Sequence, residues 1–119
     1  MRFFSISNHP VSKWPDAQKK AALELGGEIR EIPFPSPSAD ASNEDISKSA
    51  DLIAAQVPDE AIAMVHGENT TAYAIAKRLR ARGLRVVAPK HSRQEQSETQ
   101  EEKIVKTSVF IFLGWWDYE

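Results

Sequence analysis

Apolar and polar positions along the chain change period repeatedly, and each change marks an element. Arg2 to Ser7 (RFFSIS) is a short, aromatic-rich apolar run that predicts a buried strand. It closes at Asn8-His9-Pro10, because proline has no amide to continue a ladder. From Lys13 to Leu25 the spacing turns helical, with Trp14, Ala17, Ala21 and Leu25 on one stripe. Pro15 is tolerated in a first turn, and Gly26-Gly27 stops the helix. Glu28 to Phe34 alternates as a second strand around Ile29, Ile32 and Phe34, and Pro33, Pro35 and Pro37 stiffen an exit loop through Ala41. Ser42-Asn43-Glu44-Asp45 is a helix start, with a capping hydroxyl and acids near the positive end of the dipole. Ile46, Ala50, Ile53 and Val57 line that helix, and Pro58 ends it.

Ala61 to Val65 (AIAMV) predicts a third buried strand, followed by a tight turn at His66-Gly67-Glu68-Asn69 and a helix from Thr70. Ala72, Ile75, Ala76 and Leu79 form its inner stripe, while Lys77, Arg78, Arg80 and Arg82 point outward. Gly83 closes the helix, and Leu84 to Ala88 is a fourth strand. The polar, aperiodic stretch from Pro89 to about Lys103 predicts a mobile loop. Ile104 to Leu113 returns to strand character. Val105, Thr107, Val109, Ile111 and Leu113 are assigned to its core face, and Ile104, Lys106, Ser108, Phe110 and Phe112 to the other. Trp115, Trp116 and Tyr118 finish the chain, with the tryptophans expected to pack on the sheet edge or on a second protomer.

Strands alternating with helices predict an α/β domain, with helices on both faces of a mostly parallel sheet. Right-handed crossovers favour strand order 2-1-3-4, with the C-terminal strand antiparallel at the edge. A length of 119 residues allows one domain, 1–119, with one core.

Composition narrows the chemistry. The chain has no cysteine, which excludes disulfides, thiolate metal sites and a Cys nucleophile. No apolar run approaches the roughly 20 residues that span a bilayer, and Met1 to Ser7 lacks a signal-peptide layout, so no membrane partner and a cytoplasmic location are expected. The net charge of -2 is unevenly spread. Acids dominate from Glu31 to Glu60, where Lys48 is the sole base, and bases dominate from Lys77 to Lys106. A basic half can focus an anion, or it can be a solvated helix face; the acidic total argues against duplex nucleic acid.

In open α/β sheets, ligands bind beyond the carboxyl ends of the strands where the strand order reverses. Order 2-1-3-4 puts that point between the first and third strands, flanked by Ser7-Asn8-His9-Pro10 and His66-Gly67-Glu68-Asn69-Thr70-Thr71. The second loop leads through one glycine into a helix N-terminus, where amides and the helix dipole favour an anion. Thr70 and Thr71 hydroxyls can add contacts, although the same residues can simply cap the helix. Neither a P-loop nor GxGxxG is present. Glu68 opposes an anion unless it binds sugar hydroxyls or pairs with a base. His9, in a proline-stiffened turn, suits a general base or a phosphate contact. His66 is expected to be a buried, satisfied histidine and His91 a solvated loop residue. The spacing of the three histidines fits no zinc pattern, so no metal and no cofactor are expected.

Three short strings carry a family resemblance: Phe4-Ser5-Ile6-Ser7-Asn8-His9-Pro10 with Trp14, Gly67-Glu68-Asn69-Thr70, and Val105-Lys106-Thr107-Ser108-Val109-Phe110. With these the chain resembles the small stand-alone ring nucleases of type III CRISPR antiviral systems. The resemblance implies a Rossmann-like, CARF-like three-layer sandwich, acting as a homodimer that binds cyclic oligoadenylate, typically the tetra-adenylate ring. It implies metal-independent linearisation of that ring by attack of a ribose 2′-hydroxyl, which switches the signal off. Carried over, Ser7, Asn8 and His9 would serve catalysis, while Gly67, Glu68, Asn69, Thr70, Thr71, Lys106 and Ser108 would bind ligand. The family's C-terminus is usually more basic than Phe112 to Tyr118, where this chain has no arginine to offer if the activity needs one. Two rival expectations are a non-catalytic sensor or sponge with the same crevice, and a small nucleotide- or nucleoside-processing enzyme using Glu68.

Overall fold

The computed structural model describes the backbone of residues 1–100 and 103–119, and the side chains of 1–93 and 111–119. Its elements are β1 (Arg2–Ser7), a 3₁₀ turn (Val11–Lys13), α1 (Asp16–Gly26), β2 (Ile29–Pro33), α2 (Asn43–Ala54), β3 (Ala61–His66), α3 (Asn69–Ala81), β4 (Arg85–Gln100) and β5 (Lys103–Asp117). The sheet order is β2-β1-β3-β4-β5. The first four strands are parallel, and β5 runs antiparallel to β4 at the edge.

Two apolar clusters sandwich the sheet. Phe4 and Ile6 of β1, with Ala61, Ala63 and Val65 of β3, pack under Ile53 of α2 and Ile75 and Leu79 of α3. Phe3, Ile62, Met64 and Val87 face the other way, against Trp14 and Ala22. Each fully buried large side chain contributes roughly 1.5–3 kcal/mol.

The helix before Gly27 differs from the expectation in its buried face. Its buried stripe is Trp14, Gln18, Ala22 and Gly26, one step round from Trp14, Ala17, Ala21 and Leu25. Trp14 is itself extended (φ -72°, ψ 149°). A residue before proline is disfavoured in the helical region, so α1 starts only after Pro15. Gly27, at φ 73°, is the left-handed stop. Gly26 matters for a different reason. A Cβ there would lie 2.5 Å from the Phe3 amide nitrogen, so its bare backbone is what lets α1 rest on β1. The start of α2 follows expectation, with Ser42 and Asp45 forming a reciprocal capping box.

The expected loop at 89–103 is overturned for its described part. β4 continues as strand to Gln100 and pairs with β5 throughout. Its pairing with β3 covers only Arg85 to Val87, so Pro89 lies where β4 has a neighbour on one side alone and its missing amide costs no second ladder. The core face assigned to the last strand is also reversed among the described residues. Ile111 and Leu113 are exposed, whereas Phe112 packs against Trp115. Opposite Lys90 and His91 stand Gly114 and Phe112, which leaves Leu113 as an extra residue in a bulge. That bulge, with Gly114 at φ 138°, is why positions 112 and 115 share a face.

Two ion pairs join the acidic stretch of the chain to the basic one, and a third ties β4 to β5. Arg78 pairs with Asp51 at 2.6 Å, Arg82 with Asp59 at 2.7 Å and Arg85 with Asp117 at 2.7 Å. Arg82 also donates to the Ala54 and Val57 carbonyls at the end of α2. These arginines tie α3 and β4 to their neighbours. No helix among the described residues is long and apolar enough to cross a membrane.

Candidate functional site

β1 and β3 are adjacent and parallel, with Ser7 paired to His66 at their carboxyl ends. Side chains alternate along a strand, so Phe3, Ser5 and Ser7 share one face, as do Ile62, Met64 and His66. Phe3, Ile62 and Met64 belong to the α1-side cluster, so Ser7 and His66 emerge side by side on the α1 face of the sheet. The strand order reverses between these strands.

The first loop is a rigid frame. The His9 amide donates to Ser7 Oγ at 3.0 Å, a hydroxyl-closed turn. Trp14 Nε1 donates to the His9 carbonyl at 3.1 Å, and the Val11 amide donates to Glu31 Oε1 at 2.7 Å. His9 itself is exposed above this frame. Ser7 and Asn8, with Pro10, line a cleft of about 320 Å³ whose far wall is Glu31 to Phe34.

The second loop departs from the expected phosphate cradle. Glu68 is the N-cap of α3: its carboxylate accepts from the Thr70 amide at 2.6 Å and from the Thr71 amide and hydroxyl at 3.0 Å each. The amides expected to hold an anion thus hold a carboxylate of the chain, and those amide bonds keep Glu68 below the usual carboxylate range. Thr71 is fully buried and cannot face a ligand from the crevice; on its other side it borders a cleft of about 310 Å³ formed by Pro35 to Ser38 and α2. Gly67 does not open space for a phosphate either, because a Cβ there would sit 2.5–2.6 Å from the buried Phe34 ring. Asn69 and Thr70 remain exposed at the helix start. Lys106 and Ser108 have their backbones in β5 opposite Ser97 and Glu95, and their side chains lie outside the described residues.

A family model described as "Uncharacterized protein MJ1673 family" matches residues 1–116. The chain belongs to the MJ1673 family. No curated protein and no solved structure matches it.

In this MJ1673-family chain the sheet gathers histidines that the sequence keeps apart. His66, expected to be buried, is exposed at the end of β3. His91, expected in a solvated loop, is exposed but lies on β4, and its Nε2 is 2.9 Å from Oε1 of the buried Gln18 on α1. Its ring also meets Phe112 edge-on at 6.0 Å. Phe112 continues an aromatic series through Trp115 and Phe3 to Trp14, with centroids 4.9, 5.3 and 6.4 Å apart. The series anchors the base of the β4–β5 hairpin to the sheet and so holds His91 in place. The one sequence signal for this arrangement is a glutamine on an otherwise apolar helix stripe. Trp115 packs on the sheet as expected, while Trp116 is exposed with Lys90 Nζ 4.0 Å above its ring.

Desolvation, and then the charges of His91 and His9, hold His66 below its ordinary 6.5. His91 is lowered by desolvation and then by His9. Both native pKa values lie below the unfolded one, so the unfolded chain binds more protons once pH falls toward 6.5. Stability is therefore expected to be full above the ordinary histidine range and to decline as pH falls through and below it. Urea midpoints at pH 7.5 and 5.5 check this, and His66→Asn with His91→Asn should flatten the difference. Among the described residues, no group of three His, Asp or Glu side chains is placed to hold a metal ion.

Proposed function

We propose that the chain is a metal-independent phosphodiesterase of the ring-nuclease type, with a CARF-like Rossmann fold, that binds and opens cyclic oligoadenylate. The observation that carries this reading is the pairing of Ser7 with His66 at a point where the strand order reverses. There the outgoing Ser7-Asn8-His9 turn stands beside the His66-Gly67-Glu68-Asn69-Thr70 turn, at the place in the topology where open α/β sheets take nucleotides. The sequence resemblance to stand-alone ring nucleases supports the same substrate. The chemistry is within reach of side chains alone, since attack of a ribose 2′-hydroxyl on the adjacent phosphate requires alignment and proton transfer.

In this reading the Trp14-clamped loop presents His9 to the scissile phosphate, where it handles a proton or the developing charge. Asn8 and Asn69 offer amide groups to ring oxygens or bases, and Thr70 offers its hydroxyl. Glu68 shapes the α3 terminus and leaves the binding of phosphate to other groups. A homodimer places two such crevices across a two-fold axis, as a symmetric ring requires.

The test is incubation of pure protein with labelled cyclic tetra-adenylate and EDTA, with products resolved. Linear products ending in a 2′,3′-cyclic phosphate are expected. His9→Ala should lower turnover at least tenfold, about 1.4 kcal/mol of barrier, with binding largely kept. An intact ring held tightly would convert the protein into a sensor or sponge. Absence of binding would turn attention to mononucleotides and nucleosides.

A further inference from the structure

Resting on the ring-nuclease reading, we propose that the cleft between the loop after β1 and the end of β2 holds one adenine of the ring, and that Glu31 is the residue that selects it. The cleft measures about 320 Å³, with Ser7, Asn8 and Pro10 on one side and Glu31 to Phe34 on the other. Ligand pockets run from roughly 300 Å³ upward, so this one suits a single nucleoside and not a whole cyclic oligonucleotide. No lysine, arginine or histidine lines it, and a carboxylate does. It therefore disfavours phosphate and favours an uncharged group that donates hydrogen bonds. Pro10, Ile32 and Pro33 supply apolar surface on which a flat ring can lie. The cleft adjoins both turns of the candidate site. Ser7 and Asn8 belong to the first turn, and the Phe34 ring comes so near Gly67 of the second that a Cβ there would lie 2.5 Å from it.

The polar groups match one edge of adenine. The Val11 amide donates to Glu31 Oε1 at 2.7 Å and so anchors the carboxylate. Glu31 Oε2 and the Asn8 carboxamide have no partner among the described residues. A carboxylate only accepts, whereas a carboxamide both donates and accepts. Adenine presents an exocyclic amine, which donates, beside a ring nitrogen, which accepts. Oε2 takes the amine, and Asn8 donates to the ring nitrogen. Hypoxanthine carries a keto oxygen in place of the amine, and that oxygen would face the carboxylate as a second acceptor. The anchor makes the preference reversible. In Glu31→Gln the Val11 amide still requires an acceptor, so the glutamine oxygen stays on it and the Nε2 group turns into the cleft as a donor. That donor matches the keto oxygen and opposes the amine.

The experiment measures Kd for two uncleavable rings, 2′-fluoro cyclic tetra-adenylate and its inosine counterpart, with wild type, Glu31→Gln and Asn8→Ala, beside cleavage of the natural adenosine ring. Wild type should bind the adenosine ring about tenfold or more tighter than the inosine ring, as a charge-assisted hydrogen bond allows. Glu31→Gln should abolish or invert that preference at an unchanged melting temperature, because the Val11 contact is kept. Asn8→Ala should weaken the adenosine ring about fivefold or more. If Glu31→Gln melts early, the wild-type comparison of the two rings decides alone. Equal affinity of wild type for both rings, or a preference that survives in a folded Glu31→Gln, would overturn the adenine assignment and leave the ring-nuclease reading intact. An adenosine ring bound with this preference but never cut would overturn the nuclease reading and leave the cleft its occupant. Failure to bind either ring would overturn both.

Discussion

Alanine in place of Phe3 is expected to remove about 4 kcal/mol of stability, within the range seen when a buried phenylalanine is truncated. Phe3 is fully buried and touches two tryptophans from distant parts of the chain, Trp14 edge-on and Trp115 tilted across it. The lost ring leaves a cavity that neither indole can fill, because Trp14 is fixed through Nε1 to the His9 carbonyl. Domains of this size commonly have only about 5–15 kcal/mol in hand, so urea denaturation should show a midpoint reduced by about a quarter or more. The loss should also loosen the base of the β4–β5 hairpin, and the spectrum of Trp115 should report it before global unfolding. A midpoint close to wild type would mean that the aromatic series does not hold the hairpin.

Gly26→Ala comes next in size, at about 3 kcal/mol, the upper end of ordinary overpacking. The added Cβ would meet the Phe3 amide nitrogen at 2.5 Å, the Phe3 Cβ at 2.6 Å and the Arg2 carbonyl carbon at 2.8 Å. Two of those atoms are backbone of a strand paired on both sides, so α1 must move away from β1. That displacement carries Gln18 with it, and the His91 hydrogen bond should weaken in the same variant. A fall in melting temperature of roughly 12 °C is expected. Alanine at Gly83, where nothing lies within 4 Å, should show only the cost of its positive φ, and so serves as the comparison.

Both experiments bear on the proposed chemistry, because they act on the packing that brings distant side chains to one edge. Phe3 lies on the strand that leads into the Ser7-Asn8-His9 turn, and Gly26 sets how closely α1 approaches that strand.

The chain's period changes were enough to place β1, β3 and the helices, and the order of those elements was enough to give 2-1-3-4 with an antiparallel edge. Local rules carry that far because strand and helix periods are set by backbone geometry, and right-handed crossovers restrict the order. The same local rules located the capping box at Ser42 and the two turns at the sheet's carboxyl edge. They failed where the deciding partner was remote in sequence. Helix spacing alone put Ala17 on the buried stripe of α1, but the approach of Gly26 to Phe3 rotated that stripe to Gln18. The helix dipole at Thr70 and Thr71 suggested an anion, but a side chain just upstream was close enough to occupy it first. A polar, aperiodic segment after Ala88 suggested a loop, but backbone pairing with β5 made it strand, since a hairpin ladder draws on amides and carbonyls more than on side-chain pattern. Residues 91 and 18 are 73 positions apart, and no period relates them. Readable from the chain alone were the layout of the sheet and the two turns at its carboxyl edge, since both follow from local periods and crossover handedness. That His91 meets Gln18 was settled in space alone, because a buried amide must find its partner among groups remote in the chain.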